Sequence, residues 1–179
     1  MNTIKIRDYT VGPTEGFIFD TNVWIFIFGP IAGKDPHKQQ AYSSLLSQIL
    51  SRKAGLYVTS LVIAEYINRV LRICYTNWKY EDKIGRQNAD FKVDYRNTDH
   101  YQNSLTEVKD QVREILKCAM PRTDDFHRIE INSLLANLDC NCDYNDAYLV
   151  RCCEEGNFRL VSDDRDMQNI NSRITLLTK

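Results

Sequence analysis

Four short apolar runs constrain this chain more than any other feature: "FIF" at 17–19, "GLYVTS" at 55–60, "NFRLVS" at 157–162 and "ITLLT" near the C-terminus. They are rich in β-branched and aromatic residues and stop at polar ones, as buried strands do. Between them apolar side chains recur at helical spacing, at 42, 45, 46, 49 and 50 within 38–52, and at 63, 66, 67, 70, 71 and 74 within 61–74. A further helix is expected over 143–155, opened by Asp143 as N-cap and closed by Gly156. Strands alternating with helices predict an α/β domain with a mostly parallel sheet. In such sheets ligands gather at the carboxyl ends of the strands, so the residues just past each apolar run carry the functional information.

At 179 residues, 43% hydrophobic and 26% charged, the chain is expected to form one domain, 1–179. A chain of this size buries roughly 70% of its unfolded surface. The N-terminal stretch lacks the apolar core of a signal peptide, and the longest apolar run, Val23 to Phe28, is too short to span a bilayer. The reading is a cytoplasmic protein with no membrane association. Six cysteines stand at 74, 118, 140, 142, 152 and 153. The pattern Cys140-x-Cys142 with Cys152-Cys153 lacks the two-to-four-residue spacing of zinc knuckles, and reduced thiols are expected. Formal net charge is −1, which excludes a strong whole-molecule pull on nucleic acid. Locally, Tyr66 to Arg96 carries a net +3 and Asp139 to Met167 a net −5.

Asp20 is the lone charge in "GFIFDTNVWIFIFGP", directly after the first apolar run. A buried carboxylate costs several kcal/mol unless paired, hydrogen-bonded or coordinated. Glu65 lies within about a turn and a half of the helix capped by Thr59 or Ser60; Asp146 lies three residues past Asp143; Asp164 lies in "LVSDDRDM" beyond the strand. Each alone has an ordinary role: Glu65 pairing with Arg69 at i,i+4, Asp146 favouring a helix N-terminus, Asp163 and Asp164 forming a turn. Together they crowd one edge of the sheet, where mutual repulsion invites a divalent cation. Hard oxygen ligands point to Mg²⁺ or Mn²⁺.

In order, "FIFDTNVWI", "TSLVIAEYINRV", "DYNDAYLV" and "LVSDDRDM" resemble the four motifs of PIN-domain nucleases, the fold of VapC-type toxins. The resemblance spans about residues 16–177 with an unmatched middle. It implies a three-layer α/β/α domain around a sheet of four to five strands, with a helical insertion over about 76–118. It implies that Asp20, Glu65 and Asp146 hold one or two Mg²⁺ or Mn²⁺ ions, with Asp164 nearer a second ion or the attacking water. Asn22 and Ser162 match the polar positions that orient the first and last acids. The extra acid in the last motif leaves Asp163 and Asp164 as alternatives, and the Ser/Thr-x-Asp spacing favours Asp164. Asp143 and Asp166 are supporting or alternative ligands. The implied activity is hydrolysis of RNA phosphodiester bonds by an endoribonuclease, and the resemblance allows an antitoxin protein and a homodimer as partners.

An acidic centre needs basic flanks to hold a phosphate backbone. Arg69 and Arg72 follow Glu65 at i+4 and i+7, and Lys79, Lys83, Arg86, Lys92 and Arg96 interleave with Tyr75, Trp78, Tyr80, Phe91, Tyr95 and Tyr101. Stacking plus charge is how single-stranded RNA is held. The bland counterpart is a helical hairpin or lid whose aromatics pack on the body. Two rivals compete for the activity: a catalytically silent PIN-like nucleic-acid-binding or interaction module, and a haloacid-dehalogenase-like phosphatase. The latter needs a second Asp where Asn22 stands.

Overall fold

The computed structural model describes residues 1–124, 126–136, 138 and 142–179; Asp139 of the acidic stretch and Cys140 of the cysteine pattern lie outside the described residues. In chain order the main elements are β1 (Asn2–Lys5), β2 (Gly16–Phe19), α1 (Thr21–Phe28), α2 (Pro36–Ser51), β3 (Gly55–Val58) and α3 (Ser60–Glu81). These are followed by α4 (Asp99–Cys118), β4 (Met120–Pro121), α5 (Ile131–Leu135), α6 (Tyr144–Gly156), β5 (Arg159–Val161) and β6 (Thr175–Thr178). All four apolar runs form strands.

Among the described residues the sheet has six strands in the order β1-β6-β5-β2-β3-β4, and every pairing is parallel. The count exceeds the expected four to five because each edge gains a short strand. β1 is largely exposed and β4 has only two residues, both exposed. Neither needs an apolar run, so neither shows one. Central β2 sets the core: Ile18 stands beside Tyr57 of β3 and Leu160 of β5, and Phe17, Ile18 and Phe19 are fully buried. Burial on both faces is what removes alternation from a central parallel strand.

The right-handed rule for parallel crossovers puts the helices that carry the chain from β2 to β4 and those that return it to β5 on opposite faces. α6 follows its expected limits, with Asp143 as N-cap accepting from the Asp146 amide at 2.9 Å. Its end differs from expectation. Asn157, not Gly156, takes the left-handed turn at φ 52°. Gly156 is instead needed for close approach, since a Cβ there would lie 2.0 Å from the Phe158 ring. No helix of the described residues is long and apolar enough to cross a membrane.

The stretch 76–118, expected as a helical insertion, comprises the end of α3, a turn-rich segment over residues 82–98, and α4, which folds back against α3. Tyr66 of α3 donates to Gln111 Oε1 of α4 at 2.8 Å. The interleaved aromatics do not form an open stacking platform. Trp78, Phe91 and Tyr95 are buried, with ring centroids 5.2 Å apart for Trp78–Tyr95 and 5.7 Å for Phe91–Tyr95. Cations of this chain cover the same rings, Arg72 at 4.0 Å and Arg96 at 5.3 Å from Phe91, and Arg86 at 4.4 Å from Trp78. The packing option wins because burying three large rings is worth several kcal/mol, and the pairings add about 0.5–1.5 kcal/mol each. Tyr80 alone of the six stays widely open, at 65% exposure. Tyr95→Ala is therefore expected to cost about 3–5 kcal/mol, read as a lower urea midpoint at unchanged m-value.

Candidate active site

The chain runs outward from β2 through β3 to β4, then returns to the other flank of β2 as β5. That reversal makes the gap between β2 and β5 the topological switch point, where a crevice opens outside the carboxyl ends. Asp20 leaves β2 and Ser162 leaves β5 at this point, and the Asp20 amide donates to Val161 O at 2.9 Å.

Asp20 is the N-cap of α1, and its extended backbone (φ −64°, ψ 157°) turns the side chain back over the helix entry. One carboxylate oxygen accepts from the Thr21 amide at 2.6 Å and the other from Ser162 Oγ at 2.7 Å. Ser162 is fully buried and acts as a hub. Its Oγ also receives the Asp164 amide at 3.0 Å and the Asn22 amide nitrogen at 3.3 Å. Asn22 Oδ1 in turn accepts from the Asp163 amide at 3.1 Å. Asn22 and Ser162 thus link the acids on the two strands.

Glu65 rides in the second turn of α3, capped by Thr59, whose Oγ1 accepts from the Val62 amide at 3.4 Å. The Ser60 amide donates to Asp124 at 3.1 Å, and Ser60 Oγ also donates to that carboxylate. Asp124 sits in the loop after β4, and Tyr148 of α6 donates to its carbonyl at 2.9 Å. This brace sets α3, and so Glu65, relative to α6 and Asp146. Nothing in the local sequence signals it.

Burial first, and then the negative charges of Asp143, Asp20, Asp164 and Glu65, raise the Asp146 carboxyl to about 7. Burial first raises Asp20 to about 6, with Glu65 adding to the rise while Ser162, Thr21 and Arg69 oppose it. Each buried acid feels others of the set, as crowding at one edge requires.

The remaining acids separate. Asp163 turns away to α2, where Lys38 Nζ lies 2.5 Å from one carboxylate oxygen and the Tyr42 hydroxyl donates to the other at 2.8 Å. Asp164 remains with the cluster, its Oδ1 accepting from the Asp166 amide at 2.9 Å. Asp143 and Asp166 are exposed at the rim. Arg69 Nη1 lies 3.2 Å from Glu65 Oε1, whereas Arg72 leans over Phe91. Lys79 and Lys83 flank Tyr75 and Tyr80, Arg86 donates to Trp78 O at 2.7 Å, and Lys92 is exposed. A cleft of about 540 Å³ opens beside Asn22 and Asp164, between α1 and α3, with Arg69 and Arg165 on its border. Arg165 was not among the residues singled out from the sequence, because it stands inside an acidic motif.

The sequence model of the PIN domain matches residues 17–172. The chain belongs to the PIN-domain family. PIN domains are nucleases that generally use divalent metal ions, so the coarse assignment is an enzyme of phosphodiester chemistry. Among solved structures the chain resembles one from the crystal structure of VapBC2 from Rickettsia felis bound to a DNA fragment from their promoter. The TM-score is 0.54 at 11% identity, over 92% of this chain and 99% of that one. At that identity the likeness speaks for the fold. No curated protein matches the sequence.

The PIN-domain assignment also accounts for Asn22. It stands where a haloacid dehalogenase places its second Asp, and here its amide is committed to Ser162 and Asp163.

The donor chemistry suits a hard divalent ion, since Asp20, Glu65, Asp146 and Asp164 offer only carboxylate oxygens. Among the described residues no group of three metal-ligating side chains is drawn together as a ready-made cage. Glu65 pairs with Arg69 at 3.2 Å, and a cation among the acids would compete with that guanidinium for its carboxylate.

The raised acids also set a pH dependence. Unfolded Asp titrates near 3.9 and the folded groups near 6 and 7, so the folded state holds the protons more tightly. Their contribution to stability is fully present below pH ~4 and is lost as pH rises through about 7. The metal-free protein is therefore expected to melt lower at pH 7.5 than at pH 5.5, by several degrees, with a smaller fall in Asp146→Asn. About 1 kcal/mol moves the melting temperature of a chain this size by about 2–4 °C. Added Mn²⁺ should restore more stability at pH 7.5 than at pH 5.5.

Proposed function

We propose that this PIN-domain protein is a Mg²⁺- or Mn²⁺-dependent endoribonuclease. The observation that supports the reading is electrostatic: Asp146 feels the negative charges of Asp20, Asp164 and Glu65, and buried Asp20 feels that of Glu65, all just past the carboxyl ends of the strands. The family assignment supports it. Asp20, Glu65 and Asp146 are the residues that would hold the metal, one or two ions, with Asp164 completing the set. A divalent ion held there supplies a water nucleophilic near neutral pH and charge neutralisation at the phosphate.

The chain's own groups do the rest. Ser162 and Thr21 hold both oxygens of Asp20 and so fix its direction. Ser162 also receives the Asp164 amide, which ties the acids of the two strands to one hydroxyl. Such orienting groups typically matter by roughly 10–100-fold in metal affinity or activity. Asp146, raised to about 7 by burial and by its neighbours' charges, would give up its proton more readily with a cation held beside it.

RNA is the substrate class in this reading. Arg69 and Arg165 border the cleft beside the acids and would meet the phosphates nearest the cut. Lys79, Lys83, Arg86, Lys92, Arg96 and Arg72 extend the basic surface along the α3–α4 hairpin, where they act by charge because most of the rings are packed inside. An antitoxin protein and a second copy of the chain are the proposed protein partners, the former suggested by the toxin–antitoxin complex of the structural neighbour.

The test is incubation of the purified protein with total RNA and Mn²⁺, followed by mapping of cut ends. The parent is expected to cut. Asp20→Asn is expected to lose more than the roughly 10–100-fold typical of an orienting residue. Cutting by Asp20→Asn at the parent rate would refute the mechanism, and RNA binding without cutting by the parent would favour the silent module.

A further inference from the structure

The cleft beside the acids has an apolar part, which an acid-metal centre by itself does not require. It is formed by Ile25 and Phe26 of α1, by Ile31, and by Ile73 of α3. Ile25 is buried, whereas Phe26, Ile31 and Ile73 remain partly exposed. The rest of the lining is polar: Asn22, the acids Asp163, Asp164 and Asp166, and the cations Arg69 and Arg165. Among the described residues Arg165 has no ion pair, and Arg69 has only Glu65. Asp163, which also touches the cleft, has its charge answered by Lys38.

A cleft that sets four apolar side chains beside two arginines and a group of carboxylates matches a particular ligand: a flat, largely apolar ring attached to a chain of phosphates. We propose that this cleft is a base-binding subsite, which takes one unpaired nucleobase next to the scissile phosphate of single-stranded RNA. Arg69 and Arg165 hold the phosphates on either side of it. The proposal rests on the nuclease reading and deepens it, by naming what selects the cut position.

Size and chemistry agree. About 540 Å³ lies within the usual range of small-ligand pockets, roughly 300–1,000 Å³. Apolar walls read a base through its face, a sequence-tolerant contact that grows with ring area. The Asn22 amide is already committed to Ser162 and Asp163, so it offers no base-edge code. The expected selectivity is thus purine over pyrimidine at one position fixed relative to the cut. A duplex, whose bases are stacked and paired, would be cut poorly. Charge complements shape here, because the guanidinium groups offset acids that would otherwise repel the backbone.

The experiment uses the full chain, Mn²⁺ and a random-sequence single-stranded RNA pool, with sequencing of the cut ends. The variants are Ile73→Ala and Ile31→Ala, two partly exposed positions on different segments, each checked for an unchanged far-ultraviolet spectrum and unchanged Mn²⁺ affinity. The parent is expected to enrich purines at one flanking position by about twofold or more, because both base classes stack and differ only in ring area. Each variant should lose most of that enrichment and raise KM on single strands, while kcat on the pool stays within about twofold. A flat base composition around the parent's cuts, or a preference that survives both substitutions, overturns the subsite and leaves the nuclease reading standing. A parent that cuts no RNA overturns the nuclease reading, and the subsite with it.

Discussion

Repulsion among carboxylates at the gap between β2 and β5 is the constraint on which the rest of the structure turns. Asp20 is buried and Asp146 half-buried; burial first, and then the charge of Glu65 on Asp20 and of Asp143, Asp20, Asp164 and Glu65 on Asp146, lifts both well above ordinary carboxyl behaviour. Such a site is unfavourable to folding unless the surrounding structure forces it. Two helix N-termini help. Asp20 is the N-cap of α1 and Asp146 lies in the first turn of α6. Each meets partial positive charge and amide donors there, worth a few tenths to about 1 kcal/mol apiece, whereas Glu65, in the second turn of α3, lies beyond that reach and has Arg69 instead. A parallel sheet with helices after its strands delivers this arrangement as a consequence of topology, since helices begin where strands end.

Ser162 shows how one neutral group coordinates several charged ones. Its hydroxyl donates to Asp20 and accepts from the Asp164 amide and from Asn22. The acids of β2 and β5 therefore move as one unit. Asp163 strengthens the same unit from outside. Lys38 and Tyr42 draw its carboxylate toward α2, and the chain leaves β5 with Asp164 directed the other way. The extra acid of the last motif is thus a structural tie, and its neutralisation by Lys38 spares the centre a further negative charge.

The parts legible in the sequence are those with local causes. Central strands need apolar runs, so β2, β3, β5 and β6 were visible, while the short exposed strands β1 and β4 were not. Caps depend on residues within a turn, so Asp143 could be assigned and the α3 cap narrowed to Thr59 or Ser60, of which Thr59 caps, whereas Asn157 displaced Gly156 at the end of α6 because Phe158 needs the room. Asp163 and Asp164 could not be told apart by direction from the sequence, because Lys38 and Tyr42 lie more than 120 residues away. The same holds for the Asp124 brace on α3. The aromatic-basic stretch was ambiguous for a deeper reason: rings and cations that stack with one another have the same composition as rings and cations that wait for RNA.

The hairpin and α1 together explain why so apolar a segment surrounds the first acid. Val23, Trp24 and Ile25 are buried, with Trp24 packed 5.0 Å from Phe19 by ring centroid. α1 lies against both α2 and α3, so it has almost no face left to give to water. A helix hydrophobic all round belongs inside a protein, and its N-cap then sits at a rigid depth. Asp20 is thereby fixed from below by packing and from the side by Ser162. α3 in turn is held at two places: near its C-terminal end Tyr75 and Trp78 pack on Phe91 and Tyr95, and beside Glu65 the Tyr66 hydroxyl bonds to Gln111 of α4. Rings with the composition of an RNA platform thus anchor the helix that carries one of the acids.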